Sequence, residues 1–362
     1  MEKDTEVQSI IKVGITIGDI NGIGPEIILK ALADARILKD FTPVIYGSEK
    51  VLTHYQGLME MGDFSIQTCK NASQALQNNV NVINVWAEEV EISVGLGTEK
   101  GGIYAFKALE AATQDISEGK IDVLVTAPFS KDGMIKAGFQ FPGHTEYLAD
   151  LSGVKEALMI LVSPSLKVAL VTSHIPIKDI SKKLTKDLII QKIKAFEQSL
   201  KKDFNIIKPK IAVFGLNPHA GENGKLGSEE AETILPAIQF CKNEGILAFG
   251  PFAADGYFGS PAKNQYDGVL AMYHDQGLAA FKALSFDDGV NFTAGLPIVR
   301  TSPDHGTAFD IAGKNCASEQ SFRSAIYLAL DIYKARKFQK IIHSNPLPFT
   351  PEDKKKKDGR DE

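Results

Sequence analysis

Short apolar runs rich in β-branched residues alternate with longer segments of helical periodicity along this chain. This alternation is typical of an α/β sheet that is covered by helices on both faces. No internal repeat or low-complexity linker divides the chain, so we expect two lobes, discontinuous in sequence, that share one sheet. Strands are predicted at 12–18, 42–46, 80–86, 122–127, 157–162, 166–172, 210–216, 268–273 and 295–301. Helices are predicted at 27–38, 102–116, 185–204, 228–243 and 319–338.

The composition supports one large catalytic unit. Of the 362 residues, 44% are hydrophobic, which is enough for a full core. We expect residues 1–350 to form the two-lobed unit, and the charged segment 351–362 to be a disordered tail.

Several classes of protein are disfavoured by the same composition. The formal net charge of -5 leaves no basic footprint for nucleic acid. The three Cys show no CxxC spacing, which disfavours a disulfide framework or a Cys-based zinc site. The N-terminus lacks the apolar segment of a signal peptide, and no apolar run reaches the roughly 18 residues of a membrane span. We therefore expect a cytoplasmic protein without nucleic-acid or membrane partners.

Three apolar runs each end in a histidine. VALVTSH ends in His174, IAVFGLNPH in His219 and VLAMYH in His274. Ligands of open α/β sheets bind beyond the carboxyl ends of strands, so these three imidazoles can converge on one point or one interface. Three neutral imidazoles with an open fourth position form a catalytic zinc-type site. The alternative is three unrelated polar loop residues, and the absence of an HExxH motif keeps that alternative open.

A second group of residues is suited to an anion. GHTEYLAD places Thr145 where a helix N-cap belongs, with His144 beside it, and the start of a helix binds phosphate well. Lys282 and Arg300 add positive charge, and Asn291 can donate from its amide. Taken singly, Lys282 and Arg300 are each better explained by a surface salt bridge than by an anion site.

Two glycine-rich segments and one aspartate allow more than one interpretation. GDINGIGPE (18–26) lacks the G-x-G-x-x-G spacing, so it is either a loose nucleotide loop or a tight turn between a strand and a helix. NPHAGENGKLGSEE (217–230) is not a Walker motif, and its glycines would let the backbone pass close to His219. Asp255, in GPFAADGYF, sits in a turn-like setting near a strand end and could hold an ammonium group, act as a base, or be a structural turn residue.

Together these motifs resemble the 4-hydroxythreonine-4-phosphate dehydrogenase family of vitamin B6 biosynthesis. The resemblance covers about residues 12 to 335, and its motifs follow one another in the family's order. The matching segments are GDINGIGPE, TAPFSK, FPGHTEYLA, SHIPI, NPHAGENGKLG, YHDQG, GVNFTAGLPIVRTS and DHGTAFDIAG.

The resemblance implies a fold like isocitrate and isopropylmalate dehydrogenases, with the active site in the cleft between the lobes. Residues 304–314 are similar to the cofactor loop of those enzymes, which implies NAD or NADP held near Gly306, Thr307 and Asp310. The resemblance also implies a homodimer whose subunits share one divalent metal per site. The implied metal ligands are His174, His219 and His274, and the implied substrate contacts are His144, Thr145, Lys282, Asn291 and Arg300.

The implied reaction is the NAD-dependent oxidation of 4-phosphooxy-L-threonine to 2-amino-3-oxo-4-phosphooxybutanoate. Loss of CO2 then gives 3-amino-2-oxopropyl phosphate. Asp255 is our candidate for the base. Three imidazoles favour zinc, with magnesium, cobalt or manganese as alternatives.

Three other functions remain as alternatives. One is a related dehydrogenase of another phosphorylated hydroxy acid, 4-phospho-threonate or 4-phospho-erythronate. Another is a metal-dependent hydrolase, which the dinucleotide loop disfavours. The third, a purely structural metal, is weaker because such a site normally closes its fourth position with protein.

Overall fold

The computed structural model describes residues 10–344 except Asp63 and Glu156, and it leaves out the side chains of Ala262 and Lys263. The predicted tail at 351–362 lies outside the described residues. In the described part of the chain, no helix combines the length and apolar character that crossing a bilayer requires.

A single mixed sheet of 12 strands forms the centre of the molecule, in the order β3-β4-β2-β1-β5-β12-β11-β6-β7-β10-β8-β9. The first six strands of that order run parallel to one another, and the last four are also mutually parallel. Antiparallel pairing of β12 with β11, β11 with β6, and β6 with β7 joins the two groups. The strands are β1 (Lys12–Thr16), β2 (Thr42–Gly47), β3 (Ile66–Cys69), β4 (Val80–Asn84), β5 (Val123–Thr126), β6 (Leu158–Val162), β7 (Lys167–Leu170), β8 (Lys210–Phe214), β9 (Leu247–Phe252), β10 (Gly268–Ala271), β11 (Val290–Ala294) and β12 (Arg300–Pro303).

Helices cover both faces, as the near-continuous burial of the central strands requires. Thr98 and Thr185 cap the two long helices of the first and second half by accepting from the backbone N–H groups of Gly101 and Leu188. The helices are α1 (Gly24–Leu32), α2 (Glu49–Leu58), α3 (Glu99–Ser117), α4 (Lys131–Lys136), α5 (His144–Leu151), α6 (Ile180–Lys183), α7 (Lys186–Lys202), α8 (Leu235–Asn243), α9 (Ala254–Phe258), α10 (His274–Leu284) and α11 (Gln320–Ser344). The α/β class and the shared mixed sheet expected from the sequence are confirmed.

One predicted strand is largely wrong. The segment 295–301 does not begin as a strand, because Gly295 has a φ of +88° and Pro297 follows it. Pairing starts only at Arg300, in β12. The preceding segment VNFTA, which is not among the predicted strands, forms β11. Its polar residues Asn291 and Thr293 alternate with buried apolar ones.

The helix predicted over 228–243 is divided. A π-helical turn occupies Glu230–Ile234, and the regular helix α8 starts at Leu235. Pro236 follows immediately and has no N–H to donate, so it cannot extend the regular hydrogen-bond pattern into the turn before it. The helix predicted over 27–38 ends as α1 at Leu32, and a 3-10 segment follows it.

Candidate active site

A cleft lies along the middle of the sheet. Loops that follow β5 and β12 line one side of it, and loops that follow β7 and β10 line the other. Among the described residues, the lining includes all five predicted substrate contacts and two of the three predicted metal ligands. These are His144, Thr145, Lys282, Asn291, Arg300, His174 and His274.

Arg300, the first residue of β12, forms the buried wall of the cleft. Its side chain donates from Nη2 and Nε to Oγ1 of Thr126, at 2.6 and 3.2 Å, and from Nη1 to Oγ1 of Thr293 at 3.1 Å. These hydroxyl partners are neutral, and Arg300 forms no ion pair with any carboxylate in the described residues. Burial lowers the pKa of Arg300 to about 10, and the charge of Glu146 acts in the opposite direction. A buried cation without a paired anion is costly, so the site is built to receive a negative group.

His144 lies against this guanidinium. Its ring stacks on Phe129 with 3.9 Å between the ring centroids, and only 5% of the residue is exposed. Burial, with a smaller contribution from the charge of Arg300, holds the pKa of His144 well below its usual range. His144 is therefore a neutral imidazole in the cleft at ordinary pH.

The start of α5 differs in one detail from the sequence prediction. Gly143, not Thr145, is the N-cap, and α5 begins at His144. Gly143 is fully extended, and the chain turns into the helix two residues earlier than the capping preference of threonine indicates. The Thr145 hydroxyl lies 3.3 Å from Oγ1 of Thr293, and the first backbone N–H groups of α5 remain free of intrahelical partners.

Asn291 lies in β11, beside Arg300. Its Oδ1 atom is buried and forms no hydrogen bond within the described residues. Such a group is rare unless a ligand or water completes it. Asn291 thus adds a polar atom without a protein partner to the same wall of the cleft.

Lys282 approaches the cleft from α10. Its ammonium donates to the backbone oxygen of Asp304 at 3.0 Å and lies 3.5 Å from the Asp304 carboxylate. Burial raises the pKa of Asp304, although Lys282 acts against that shift. The neighbouring His305 has a buried Nε2 atom that finds no partner in the described residues, and burial lowers the pKa of its imidazole.

His174 and His274 lie across from each other, beyond the ends of β7 and β10. Their ring centroids are 5.8 Å apart. Nδ1 of His274 forms a 2.7 Å hydrogen bond with the carboxylate of Asp275, which leaves Nε2 as the ring nitrogen that could bind a ligand. Although the His174 side chain is exposed, surrounding protein atoms lower the pKa of its imidazole, with a smaller contribution from Lys131. Two imidazoles with one orienting carboxylate would fit two positions of a divalent metal.

His219 does not join this pair within the same chain. It is exposed in the loop after β8, the strand next to β10. All three histidines therefore follow neighbouring parallel strands, as expected. Within the described residues, however, no three His, Cys, Asp or Glu side chains are grouped closely enough to hold a metal.

The loop that carries His219 has an unusual backbone. Five successive residues, His219 to Asn223, have φ between +41° and +79°. Non-glycine residues pay roughly 1–2 kcal/mol each for this conformation. Such strain persists only where surrounding contacts impose it, and it concentrates at functional sites.

Asp255, the candidate base, is exposed in the first turn of α9. It is not among the residues that line the cleft of this chain. The structure thus does not bring it together with the other predicted residues, and its role as a base stays a prediction.

The predicted cofactor loop lies at the rim of the cleft. Gly306 lines the cleft and is exposed. Asp310 is also exposed but is not among the residues that line the cleft. Thr307 points the other way: its backbone oxygen accepts from the N–H of Ile23 at 3.0 Å. A Cβ on Gly22 would lie 2.9 Å from that same oxygen. The glycine-rich segment 18–26 is therefore a strand-to-helix turn that supports the loop after β12.

Sequence reasoning missed the residue that ties this loop down. Glu26 is fully buried in α1. One carboxylate oxygen accepts from Lys30 Nζ at 2.9 Å and from the Ala317 N–H at 3.0 Å, and the other accepts from the Gly313 N–H at 3.2 Å. A glutamate at the start of a helix is common. The role of Glu26 comes from its contacts with residues far away in the sequence, which a local sequence pattern does not reveal.

Asp19 was missed as well. It is fully buried in the same turn, and its Oδ2 atom has no hydrogen-bond partner among the described residues. Burial raises its pKa from 3.8 to about 6, while the Asn21 backbone N–H acts in the opposite direction. A buried carboxyl with a free oxygen has no signal in the sequence beyond its place in a glycine-rich turn.

A family model described as "Pyridoxal phosphate biosynthetic protein PdxA" matches residues 39–329. This match covers most of the chain. The chain belongs to the PdxA family. A PdxA relative from Bacteroides thetaiotaomicron, named 4-hydroxythreonine-4-phosphate dehydrogenase, is 50% identical over 339 residues, which is 93% of each chain.

A second relative and a solved structure are also similar to this chain. A relative from Oceanobacillus iheyensis has a name that includes D-threonate 4-phosphate dehydrogenase. This relative is 39% identical over 88% of this chain and 97% of its own. The crystal structure of 4-hydroxythreonine-4-phosphate dehydrogenase from Klebsiella pneumoniae has a TM-score of 0.78 and 36% identity, covering 90% of this chain and 98% of that one. The family expected from the motifs is therefore confirmed.

Proposed function

We propose that this chain is a 4-hydroxythreonine-4-phosphate dehydrogenase that oxidises 4-phosphooxy-L-threonine with NAD or NADP and a divalent metal. The product, 2-amino-3-oxo-4-phosphooxybutanoate, loses CO2 to give 3-amino-2-oxopropyl phosphate. Membership in the PdxA family and the name of the relative that is 50% identical support this activity.

One observation carries the proposal: the buried guanidinium of Arg300, held by two hydroxyls and paired with no carboxylate among the described residues. A phosphate would supply the missing negative charge and accept several charge-assisted hydrogen bonds. Lys282, Asn291, Thr145 and neutral His144 surround the same space and would complete its contacts. A phosphate gripped there, away from the reacting carbon, fixes the substrate's orientation.

The histidines supply the second part of the proposal. His174 and His274 would hold the metal from one subunit, and His219 would complete the site from the partner of a homodimer. The separation of His219 from the other two within one chain supports a shared site. The rim loop, with Gly306, Thr307 and Asp310, would hold the nicotinamide cofactor, and the free Nε2 of His305 supports a polar ligand there.

A metal held by His174, His274 and the partner subunit's His219 would supply Lewis-acid polarisation of the substrate's C3 hydroxyl, and a nicotinamide cofactor at the rim loop would supply the hydride acceptor. The chain's own residues orient the substrate, exclude water from the buried wall at Arg300, and remove the hydroxyl proton. Asp255 is our candidate for that proton transfer. Because it is exposed and does not line the cleft of its own chain, it would act in the cleft of the partner subunit. Localisation in the cytoplasm is proposed on the same basis as the reaction.

A second candidate is the oxidation of a phosphorylated hydroxy acid such as 4-phospho-D-threonate. The name of the relative from Oceanobacillus iheyensis favours this second candidate. The phosphate contacts would serve either substrate. The substrates differ only in an amino or a hydroxyl group at C2.

The deciding experiment measures NADH absorbance with purified protein and a matched panel of the two phosphorylated acids. We expect the higher kcat/KM with 4-phosphooxy-L-threonine. Preference for the threonate would select the second candidate, and no reduction of NAD or NADP with either acid would refute both.

A further inference from the structure

We propose that Glu230 is a positioning residue that fixes the turn presenting His219 to the metal. This inference rests on the proposed function. Glu230 is buried in the π-helical turn that precedes α8, with 6% of the residue exposed. It lies eleven residues after His219 in sequence and touches no part of the cleft described above.

The Glu230 carboxylate holds the segment just before His219. One oxygen accepts from the backbone N–H groups of Leu216 and Asn217, each at 2.7 Å. The other accepts from the side-chain amide of Asn217 at 3.0 Å. A buried carboxylate that accepts three such bonds fixes the backbone where β8 ends and the loop begins.

Two glycines leave room for this carboxylate. A Cβ on Gly221 would lie 2.5 Å from one Glu230 oxygen, and a Cβ on Gly215 would lie 3.0 Å from the other. The loop therefore wraps around the carboxylate from both ends. The left-handed run from His219 to Asn223 begins two residues after Asn217 and includes Gly221, so the Glu230 carboxylate lies against both the entry to the strained segment and its middle.

The neighbouring Glu229 connects this turn to the segment that carries His174. Its carboxylate accepts from the Asn217 amide at 2.7 Å and from the Ser181 hydroxyl at 2.8 Å. Ser181 belongs to α6, which follows His174 closely in sequence. The acidic pair thus sets the His219 loop against the other histidine segment, and π-helical turns are common where such placement matters.

The test compares Glu230→Gln with Glu232→Gln, an exposed glutamate of the same turn. Glutamine keeps the size of Glu230, but it offers an NH2 group where a donor already points. Both proteins are stripped with a chelator and titrated with Co²⁺ alone, following the visible absorption of the bound ion. We expect Glu230→Gln to weaken Co²⁺ binding about 10-fold or more and to change the spectrum, as loss of a supporting contact does. Glu232→Gln should match the wild-type protein.

Two parallel measurements make the result decisive. His219→Ala is titrated alongside: if it binds Co²⁺ like the wild-type protein, the metal role in the proposed function fails. If His219→Ala loses the ion and a folded Glu230→Gln keeps wild-type affinity and spectrum, only the positioning role is refuted. Circular dichroism reports folding. If Glu230→Gln does not fold, Gly221→Ala, which pushes on the carboxylate from the loop side, must show the same weakening, and wild-type binding by it overturns the proposal.

Discussion

Nη2 of Arg300 lies 3.3 Å from Nδ1 of His144 in the buried wall of the cleft. Because guanidinium nitrogens only donate, Nδ1 must accept, and the neutral ring then carries its proton on Nε2. His144 can therefore donate to a ligand without being charged. One cation and one neutral donor, fixed against each other, are suited to grip the same anion.

Replacing Arg300 with Lys tests this grip. Lysine keeps the charge but cannot bond both Thr126 and Thr293 while facing the anion, so we expect KM for the phosphorylated substrate to rise about 10- to 100-fold. The KM for NAD should stay within a factor of about two. Arg323→Lys, at an ion pair with Glu319 on α11, is the matched control. Equal losses for substrate and cofactor would contradict the assignment.

Sharing of the metal between subunits can be tested by mixing. His174→Ala and His219→Ala subunits are each expected to be inactive alone. If the histidines come from different subunits, a mixed dimer has one intact site and one that lacks both ligands. Random mixing should then restore about a quarter of wild-type activity. Metal content measured on the mixture should rise in parallel. A mixture as inactive as its components would mean that each site is built within one chain.

Glu26→Gln should loosen the rim loop. The change removes the charge that holds Lys30 and weakens the bonds to Gly313 and Ala317, at a cost of about 1–3 kcal/mol in unfolding free energy. Because these bonds hold the loop's far end, we expect a higher KM for NAD with an unchanged substrate grip. Glu49→Gln, in the first turn of exposed α2, serves as the control. Steady-state kinetics with each ligand varied separately distinguish the two effects, and a change confined to the substrate KM would count against this role.

Asp19→Asn should alter how stability depends on pH. The folded-state pKa of about 6 lies above the unfolded value of 3.8. The resulting stabilisation is complete below pH 3.8 and is lost as the pH rises through about 6, to the extent of about 3 kcal/mol. Asn does not titrate, so the stability of the variant relative to the wild-type protein should increase between pH 4.5 and 7.5.

Urea denaturation at both pH values, at one protein concentration, measures this difference. Asp331→Asn, an exposed change on α11, should show no such trend. A constant difference between Asp19→Asn and the wild-type protein at the two pH values would show that the Asp19 carboxyl does not titrate in this range.

The sequence predicted the parts of the fold that depend on local pattern. Short runs such as β1 and β10 are almost entirely buried, so their largely apolar character is visible in the sequence. β11 was missed because Asn291 and Thr293 serve the cleft rather than the core. The short edge strand β3 and the Gly- and Pro-containing β9 also lack a clear pattern.

Candidate site residues could be predicted from the sequence where the residue type itself has a distinctive chemistry. The histidines and the cationic residues were predicted through motif and family resemblance, and their roles stay predictions. The supports were not, because Glu26, Asp19 and Glu230 act through contacts to backbone groups that are distant or strained. Gly143 replaced Thr145 as the N-cap for a similar reason: the tertiary path of the preceding loop, rather than the local capping preference, decides where α5 begins.

The order of the sheet also has a consequence for synthesis. β1 to β5 and β6 to β10 form separate groups, and β11 and β12, the last strands translated, are the ones that join them. The strands of both partial sheets are therefore synthesised before the two strands that link them. Pairing between residues so far apart in sequence is slow to form. Because Asn291 and Arg300 lie on those closing strands, the newly made chain acquires its anion-binding wall in the same step that completes the fold. A nascent chain truncated before residue 290 therefore lacks both Asn291 and Arg300, the strand residues of the proposed anion site.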